Sequence, residues 1–225
     1  MKTIGIIGAM PSELVDIQKK LTGEKIEKIA GYDYYIDTKG DTRIVTVCSG
    51  IAKVNAALCA QILIDRFEPS ALINAGIAGG MDNKIKVCDI VVSNEVLPHD
   101  LDGHFLKDYP PYCGIYKADE ELIDLAVKTC ENQGVKSFTG RIVSGDAFIT
   151  DSAVKQGIKE KFEPYAVDME SAAVGQCAYR NNVPFVSVRC ISDNADDEGA
   201  MSFDEFEIIA AKIVADVVLE MTGKI

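Results

Sequence analysis

The sequence predicts an α/β fold built on a mixed sheet, and three observations carry that prediction. Apolar, β-branched runs recur at residues 4–7, 44–48, 71–74, 87–92, 141–143 and 185–190, the near-continuous hydrophobicity that strands covered on both faces require. Stretches with helical apolar spacing lie between several of these runs. Residues 25–30 and 34–38, separated by a short segment containing Gly31, read as an antiparallel hairpin, which makes the sheet mixed.

Taken in order, the first strand is followed by Leu14, Ile17 and Leu21 on one helical face, with Glu13 in the opening turn, where an acid meets the positive end of the helix dipole. Val54, Ala57, Leu58 and Ile62 form the expected core stripe of a second helix, and Leu122, Leu125 and Ala126 that of a later one. The last helix is expected to start at Ser202-Phe203-Asp204-Glu205, a capping-box pattern, ahead of Phe206, Ile209, Ala210, Ile213 and Val217. Residues 97–114 are the least regular, punctuated by Pro98, Gly103, Pro110, Pro111 and Gly114 around Phe105, Tyr109 and Tyr112. Long irregular loops in compact domains often act as lids or interface elements.

A chain of 225 residues is expected to form one domain spanning 1–225. A net charge of −12 repels phosphate backbones and anionic lipid, so nucleic acid and membrane are not expected partners and a neutral or cationic small molecule is. No run of about 18 uncharged apolar residues and no signal-peptide pattern occurs, so a cytoplasmic location is expected. The cysteines (Cys48, Cys59, Cys88, Cys113, Cys130, Cys177 and Cys190) are odd in number and never spaced C-x-x-C. Neither a disulfide framework nor a zinc site is expected, and His99 and His104 are too few for a histidine-rich metal centre.

Chemistry is suggested by two stretches that end in acids, Ala166-Val167-Asp168-Met169-Glu170-Ser171 and Val188-Arg189-Cys190-Ile191-Ser192-Asp193, with Glu13 far upstream. Each acid follows a strand-like run, the place where an open α/β sheet holds ligands. Carboxylates in different environments can divide acid, base and orienting work, because burial raises one pKa while hydrogen bonds hold another low. Gly76-Ile77-Ala78-Gly79-Gly80 and Ser49-Gly50-Ile51-Ala52-Lys53 read as glycine turns at strand ends; neither has the G-x-G-x-x-G order or a P-loop, so no nucleotide cofactor is expected. Ser144-Gly145-Asp146-Ala147-Phe148-Ile149 offers an aromatic ring that could stack on a flat heterocycle beside backbone groups that read its edge.

Together with Ile4-Gly5-Ile6-Ile7-Gly8-Ala9-Met10 and Ser202-Phe203-Asp204-Glu205-Phe206, these ordered motifs run nearly end to end, and the chain resembles the bacterial 5′-methylthioadenosine/S-adenosylhomocysteine nucleosidases of the nucleoside phosphorylase superfamily. The resemblance implies a single-domain three-layer α/β/α sandwich with a central mixed sheet, nucleoside phosphorylase-like and assembled as a homodimer. It implies irreversible cleavage of the N-glycosidic bond of adenosine-type thioether nucleosides, and of 5′-deoxyadenosine, with release of adenine. On this sequence Asp193 would protonate adenine N7, Glu13 would deprotonate the attacking water, Glu170 would bind ribose hydroxyls and Arg189 would organise the water site. Met169 would pack on the sugar, Phe148 would stack on adenine, and the Ile149 backbone would contact its edge. Ile51 and Phe203 would line an apolar 5′ pocket that the partner's loop around Phe105 closes, with Ile77 and Ser192 completing the substrate-binding set.

Three departures from the family pattern stand out: Ile77 where many members carry serine, Asp168 in place of a glutamate, and the proline-rich stretch around Pro98, Pro110 and Pro111. A purine nucleoside phosphorylase is the nearest rival; it needs a cationic phosphate site, for which Pro11-Ser12-Glu13 offers no arginine and only Arg43 is a candidate. A futalosine-type nucleosidase differs only in what fills the 5′ pocket. A non-catalytic nucleoside binder would have no use for a water-activating acid.

Overall fold

The computed structural model describes residues 1–21, 25–196 and 199–225, the last from its backbone alone over 199–202. In chain order the elements are β1 (Lys2–Gly8), α1 (Pro11–Lys20), β2 (Lys25–Ile29), β3 (Tyr32–Lys39), β4 (Thr42–Cys48), α2 (Lys53–Phe67), β5 (Ala71–Gly80), β6 (Ile90–Pro98) and α3 (Gly103–Asp108). There follow β7 (Tyr116–Lys117), α4 (Glu120–Gln133), β8 (Ser137–Ser144), α5 (Ser152–Phe162), β9 (Ala166–Asp168), α6 (Ser171–Asn181), β10 (Phe185–Asp193) and α7 (Gly199–Thr222).

The sheet is mixed, as the alternation of apolar runs and hairpin predicts. β1 pairs in parallel with β4 and β5, while β2, β3 and β4 form an antiparallel meander. Helices α1, α4 and α7 group on one side and α2 and α6 on the other. The buried apolar stretches of β1, β5 and β10 between these layers explain why their sequences lack polar alternation.

The open sheet assumed from the sequence is corrected. β5 pairs with β10, β10 with β6, β6 with β8, β8 with β9, and β9 returns antiparallel to β5 through Gly79↔Val167 and Gly80↔Ala166. Part of the sheet thus closes on itself, and the chain after β9 turns back over the middle of β5.

Four local expectations also change. The strand expected at 87–92 begins only at Ile90, because Lys86 to Asp89 form a turn in which Asp89 accepts from the Lys86 N–H at 2.8 Å and Cys88 takes φ +71°. The glycines from Gly76 to Gly80 are not a turn but the second half of β5, fully buried. In α2 the buried stripe is Ala56, Cys59, Ala60, Leu63, Ile64 and Phe67, whereas Val54 and Leu58 are exposed. Apolar and polar residues are both spread around that helix, so periodicity does not choose its inner face, which is set by packing against α6 and β1. Helix α7 is already helical from Gly199, so Ser202 lies inside it; the side chain on which the capping box depends falls outside the described residues.

Helix ends elsewhere follow local chemistry. Asp119 caps α4 by accepting from the Leu122 N–H at 3.1 Å, and Gly134 closes it with φ +67°. The irregular stretch 97–114 contains the short helix α3, and no helix among the described residues is long and apolar enough to cross a membrane.

Candidate active site

Glu13 is placed by its own helix. Pro11 opens α1, and one carboxylate oxygen of Glu13 turns back to accept from the N–H groups of Ala9 at 2.6 Å and Met10 at 2.9 Å, donors that the start of a helix leaves unpaired. The other oxygen crosses to β5 and accepts from the Ile77 N–H at 2.9 Å. A structural role therefore explains half of the side chain and leaves the other half facing β5.

Behind it lies Arg189, fully buried in β10. Its Nη2 meets Asn74 Oδ1 at 2.6 Å, Asp168 Oδ2 at 2.8 Å and Glu170 Oε2 at 3.4 Å, while Nη1 stands 3.7 Å from Glu13 Oε1. Nη1 is buried with no hydrogen-bond acceptor among the described residues. Asp168 is held by Ser144 and Ser171 hydroxyls, so the guanidinium rests on a cradle drawn from β5, β8, β9 and α6. Asn74, a polar residue inside an apolar strand, and Ser171 were not singled out from the sequence; the break in the apolar run at Asn74 was the available signal.

Gly76 makes this arrangement possible. A Cβ there would stand 2.2 Å from Arg189 Nη1 and 2.3 Å from Glu13 Oε1, so only glycine leaves room for the pair to meet across β5.

Glu170 begins α6, and its Oε1 accepts from the Ala52 N–H at 2.9 Å, tying the turn after β4 to the site. That turn matches expectation, with Gly50 at φ +80° and Ala52 at φ +82°. Asp193 ends β10, where Oδ1 accepts from the Ala195 N–H at 2.7 Å and Oδ2 from the Ser192 hydroxyl at 2.9 Å. The loop carrying Phe148 is fixed through Asp146, which accepts from the Lys53 N–H at 2.9 Å while the Lys53 ammonium joins Asp146 and Asp100.

These side chains surround one cavity of about 350 Å³, within the range of roughly 300–1,000 Å³ common for small-molecule sites. Glu13, Glu170, Asp193, Ile51, Ile77, Phe148, Met169, Ser192 and Phe203 all line it. Phe148 and Phe203 meet edge to face at 5.4 Å between centroids, forming an aromatic wall. Ile149 lines an adjoining notch next to Asp193 instead of the main cavity, and Arg189 stands behind the wall. Phe105 does not line the cavity: it sits on α3, half-exposed, with its ring against His104 and Tyr109.

Burial dominates the electrostatics. It pushes the Glu13 carboxyl above its ordinary range, against the pull of Arg189 and three backbone donors. Glu170 is raised to about 7, with burial the largest cause, Arg189 opposing, and Asp168 and Glu13 adding repulsion. Asp193 is also raised by burial, opposed first by the hydrogen bonds from Ala195 and Ser192. The cavity thus holds acids poised toward protonation beside a carboxylate anchored by a cation, the inventory of general acid–base chemistry.

The closed α/β sheet and its acid-lined cavity define an enzyme of the phosphorylase superfamily, whose profile matches residues 3–222. The chain is 38% identical over 230 residues to the 5′-methylthioadenosine/S-adenosylhomocysteine nucleosidase of Halalkalibacterium halodurans, covering 100% of both. It belongs to the 5′-methylthioadenosine/S-adenosylhomocysteine nucleosidase family. The Neisseria meningitidis nucleosidase in complex with methylthio-immucillin-A superimposes with a TM-score of 0.94 at 32% identity over 100% of both chains. A futalosine hydrolase mutant of Helicobacter pylori strain 26695 superimposes equally well, with a TM-score of 0.94 at 27% identity and 100% coverage of both.

Proposed function

We propose that this enzyme hydrolyses the N-glycosidic bond of 5′-methylthioadenosine and S-adenosylhomocysteine, and of 5′-deoxyadenosine, releasing adenine. The observation that carries the reading is the convergence of Glu13, Glu170 and Asp193 on one cavity walled by Phe148 and Phe203.

In this mechanism the purine lies against Phe148, with its edge toward the notch lined by Ile149 and Asp193. Asp193, whose proton affinity burial raises above the ordinary carboxyl range, donates to N7 as the C1′–N9 bond breaks, so that adenine leaves neutral. Glu13, whose carboxylate form Arg189 and three backbone N–H groups favour against burial, accepts a proton from the water that attacks C1′, and Arg189 Nη1 stands 3.7 Å from its Oε1. Glu170 accepts from the ribose hydroxyls, and the negative charge of Glu13 and Glu170 favours the cationic sugar that develops. Ile51, Met169 and Phe203 offer apolar surface to a 5′-thioether, and the Ile77 side chain closes the wall beside Glu13.

We further propose that the enzyme acts as a homodimer. Ile51, Val54, Leu58, Leu101 and Phe105 are exposed apolar residues of the kind that a second copy would bury. In that assembly the partner's Phe105 would complete the 5′ pocket. Sedimentation of the purified enzyme tests this: a monomer at micromolar concentration would remove the partner's role.

Chromatography of products from a panel of 5′-substituted adenosines in phosphate-free buffer tests the reaction. Adenine release without phosphate is expected, whereas strict phosphate dependence would leave the phosphorylase reading. A specificity constant higher for a futalosine-type substrate than for either thioether would reassign the 5′ pocket.

A further inference from the structure

The loop that follows Asp193 is held from outside the cavity by a cation. Because the Ala195 N–H donates to Asp193 Oδ1 at 2.7 Å, the aim of the carboxylate depends on the path of the chain through Asn194. Lys155, from the second turn of α5, donates its ammonium to the Asn194 carbonyl, directly after Asp193 in the chain. Helix α5 is itself well fixed. Asp151 caps it by accepting from the N–H groups of Ala153 and Val154 at 2.8 and 2.9 Å, and Ile158 packs in one apolar cluster with Ile149, Val167 and Ala195. That cluster presses α5 against the loop it serves.

Among the described residues, the charged groups facing Asp193 are Lys155 from α5 and Asp196 from its own loop, while Lys159 stands beside Lys155 on α5. We infer that Lys155 is a positioning residue for leaving-group protonation: from α5 it fixes the loop that aims Asp193 and supplies a cation beside that acid. Burial and Asp196 both drive Asp193 toward its neutral form, and Lys155 opposes them. Lys155 is itself pushed below its ordinary range, by burial first, yet retains attractive partners in Asp196 and Asp193. No such role is visible in the sequence, where Lys155 is one of several lysines on an amphipathic helix.

The inference rests on Asp193 being the acid that protonates adenine. Turnover then falls at high pH as Asp193 loses its proton, and the alkaline limb of kcat reports that group in the bound complex. In Lys155→Met, loss of the cation is expected to move this limb to higher pH, while kcat on the plateau falls roughly tenfold, the scale of one charge-assisted hydrogen bond. Lys155→Arg, which keeps charge and donor, is expected to hold the limb at its parental pH. Lys155→Gln gives a second neutral variant in case the methionine form does not fold. A limb at the parental pH in a folded neutral variant, or an equal displacement in Lys155→Arg, would overturn the inference. Asp193→Asn separates the two ideas: near-native turnover there defeats the acid role itself, whereas its inactivity beside an unmoved Lys155→Met limb defeats only the role of Lys155.

Discussion

Replacing Gly76 by alanine adds one methyl group at the point where β5 lets Glu13 and Arg189 approach each other. The new Cβ would stand about 1 Å inside ordinary contact with both Arg189 Nη1 and Glu13 Oε1, at 2.2 and 2.3 Å. Neither neighbour can swing freely: Glu13 is held by Ala9, Met10 and Ile77, and Arg189 by Asn74 and Asp168. The pair must separate or the strand must shift. A displacement on the order of 1 Å at a reacting group costs roughly a hundredfold in rate, and overpacking a dense interior costs about 1–3 kcal/mol. Gly76→Ala is therefore expected to lower kcat by about two orders of magnitude and Tm by several degrees. Initial rates of adenine release from methylthioadenosine and a thermal melt measure the two effects. Gly157→Ala is the control, because nothing lies within 4 Å of its added carbon; a helical alanine there is expected to stabilise by about 0.5–1 kcal/mol and leave kcat unchanged. A folded Gly76→Ala enzyme with kcat within twofold of the parent would refute the claim that this glycine sets the Glu13–Arg189 approach.

Two further perturbations address the acids. Asp193→Asn is expected to nearly abolish turnover with the melt preserved, and Glu13→Gln to bind a substrate analogue yet lose hydrolysis; calorimetric binding alongside rate assays separates the two, and unimpaired hydrolysis removes either residue from its role. Glu170 predicts a pH dependence of stability. Its folded pKa of about 7 lies above the ordinary 4.5, so the folded state binds the extra proton. Its favourable contribution is complete below about pH 4.5 and is lost as pH rises toward 7, up to about 3 kcal/mol in all. Glu170→Gln cannot ionise, so its Tm should gain on that of the parent between pH 5 and pH 8; parallel curves would show that burial does not penalise the carboxylate.

Strand positions and the acids at their ends were legible because both depend on local chemistry. Apolar runs bounded by polar loops mark β1, β4, β5 and β10, and Glu13 is recognisable as the first acid after a strand. The exceptions share one cause. In the run from Gly76 to Gly80, glycine signals conformational freedom to a local reading, but here its value is the missing side chain, and what fills the space comes from α1 and β10. The inner face of α2 was equally hidden, because its apolar residues are spread around the helix and its orientation is set by packing against α6 and β1. Closure of β9 onto β5 could not be read either. Three residues of pairing strand carry little sequence signal, yet they close part of the sheet and bring Asp168 and Glu170 to the cavity.

Water rather than phosphate follows from how the buried cations are spent. Arg189 stands behind the cavity wall, with its Nη2 engaged by Asn74, Asp168 and Glu170 and its Nη1 3.7 Å from the Glu13 carboxylate, so its charge is already faced by three acids. Arg43, the one residue that could have favoured the rival, points elsewhere: its Nε donates to the Thr3 hydroxyl at 3.0 Å and its Nη2 to the Phe67 carbonyl at 2.6 Å. Among the described residues no lysine or arginine lines the cavity, while Glu13, Asp168, Glu170 and Asp193 do. A phosphate dianion entering there would lose its hydration and meet carboxylates with no cation lining the cavity among the described residues, a penalty of several kcal/mol for a buried charge. A neutral water loses far less and gains a base in Glu13. Burial, which is the largest cause of the raised Glu170 pKa and is reinforced by Asp168 and Glu13, also disfavours an entering anion, and so links the pH dependence of stability to the choice of hydrolysis.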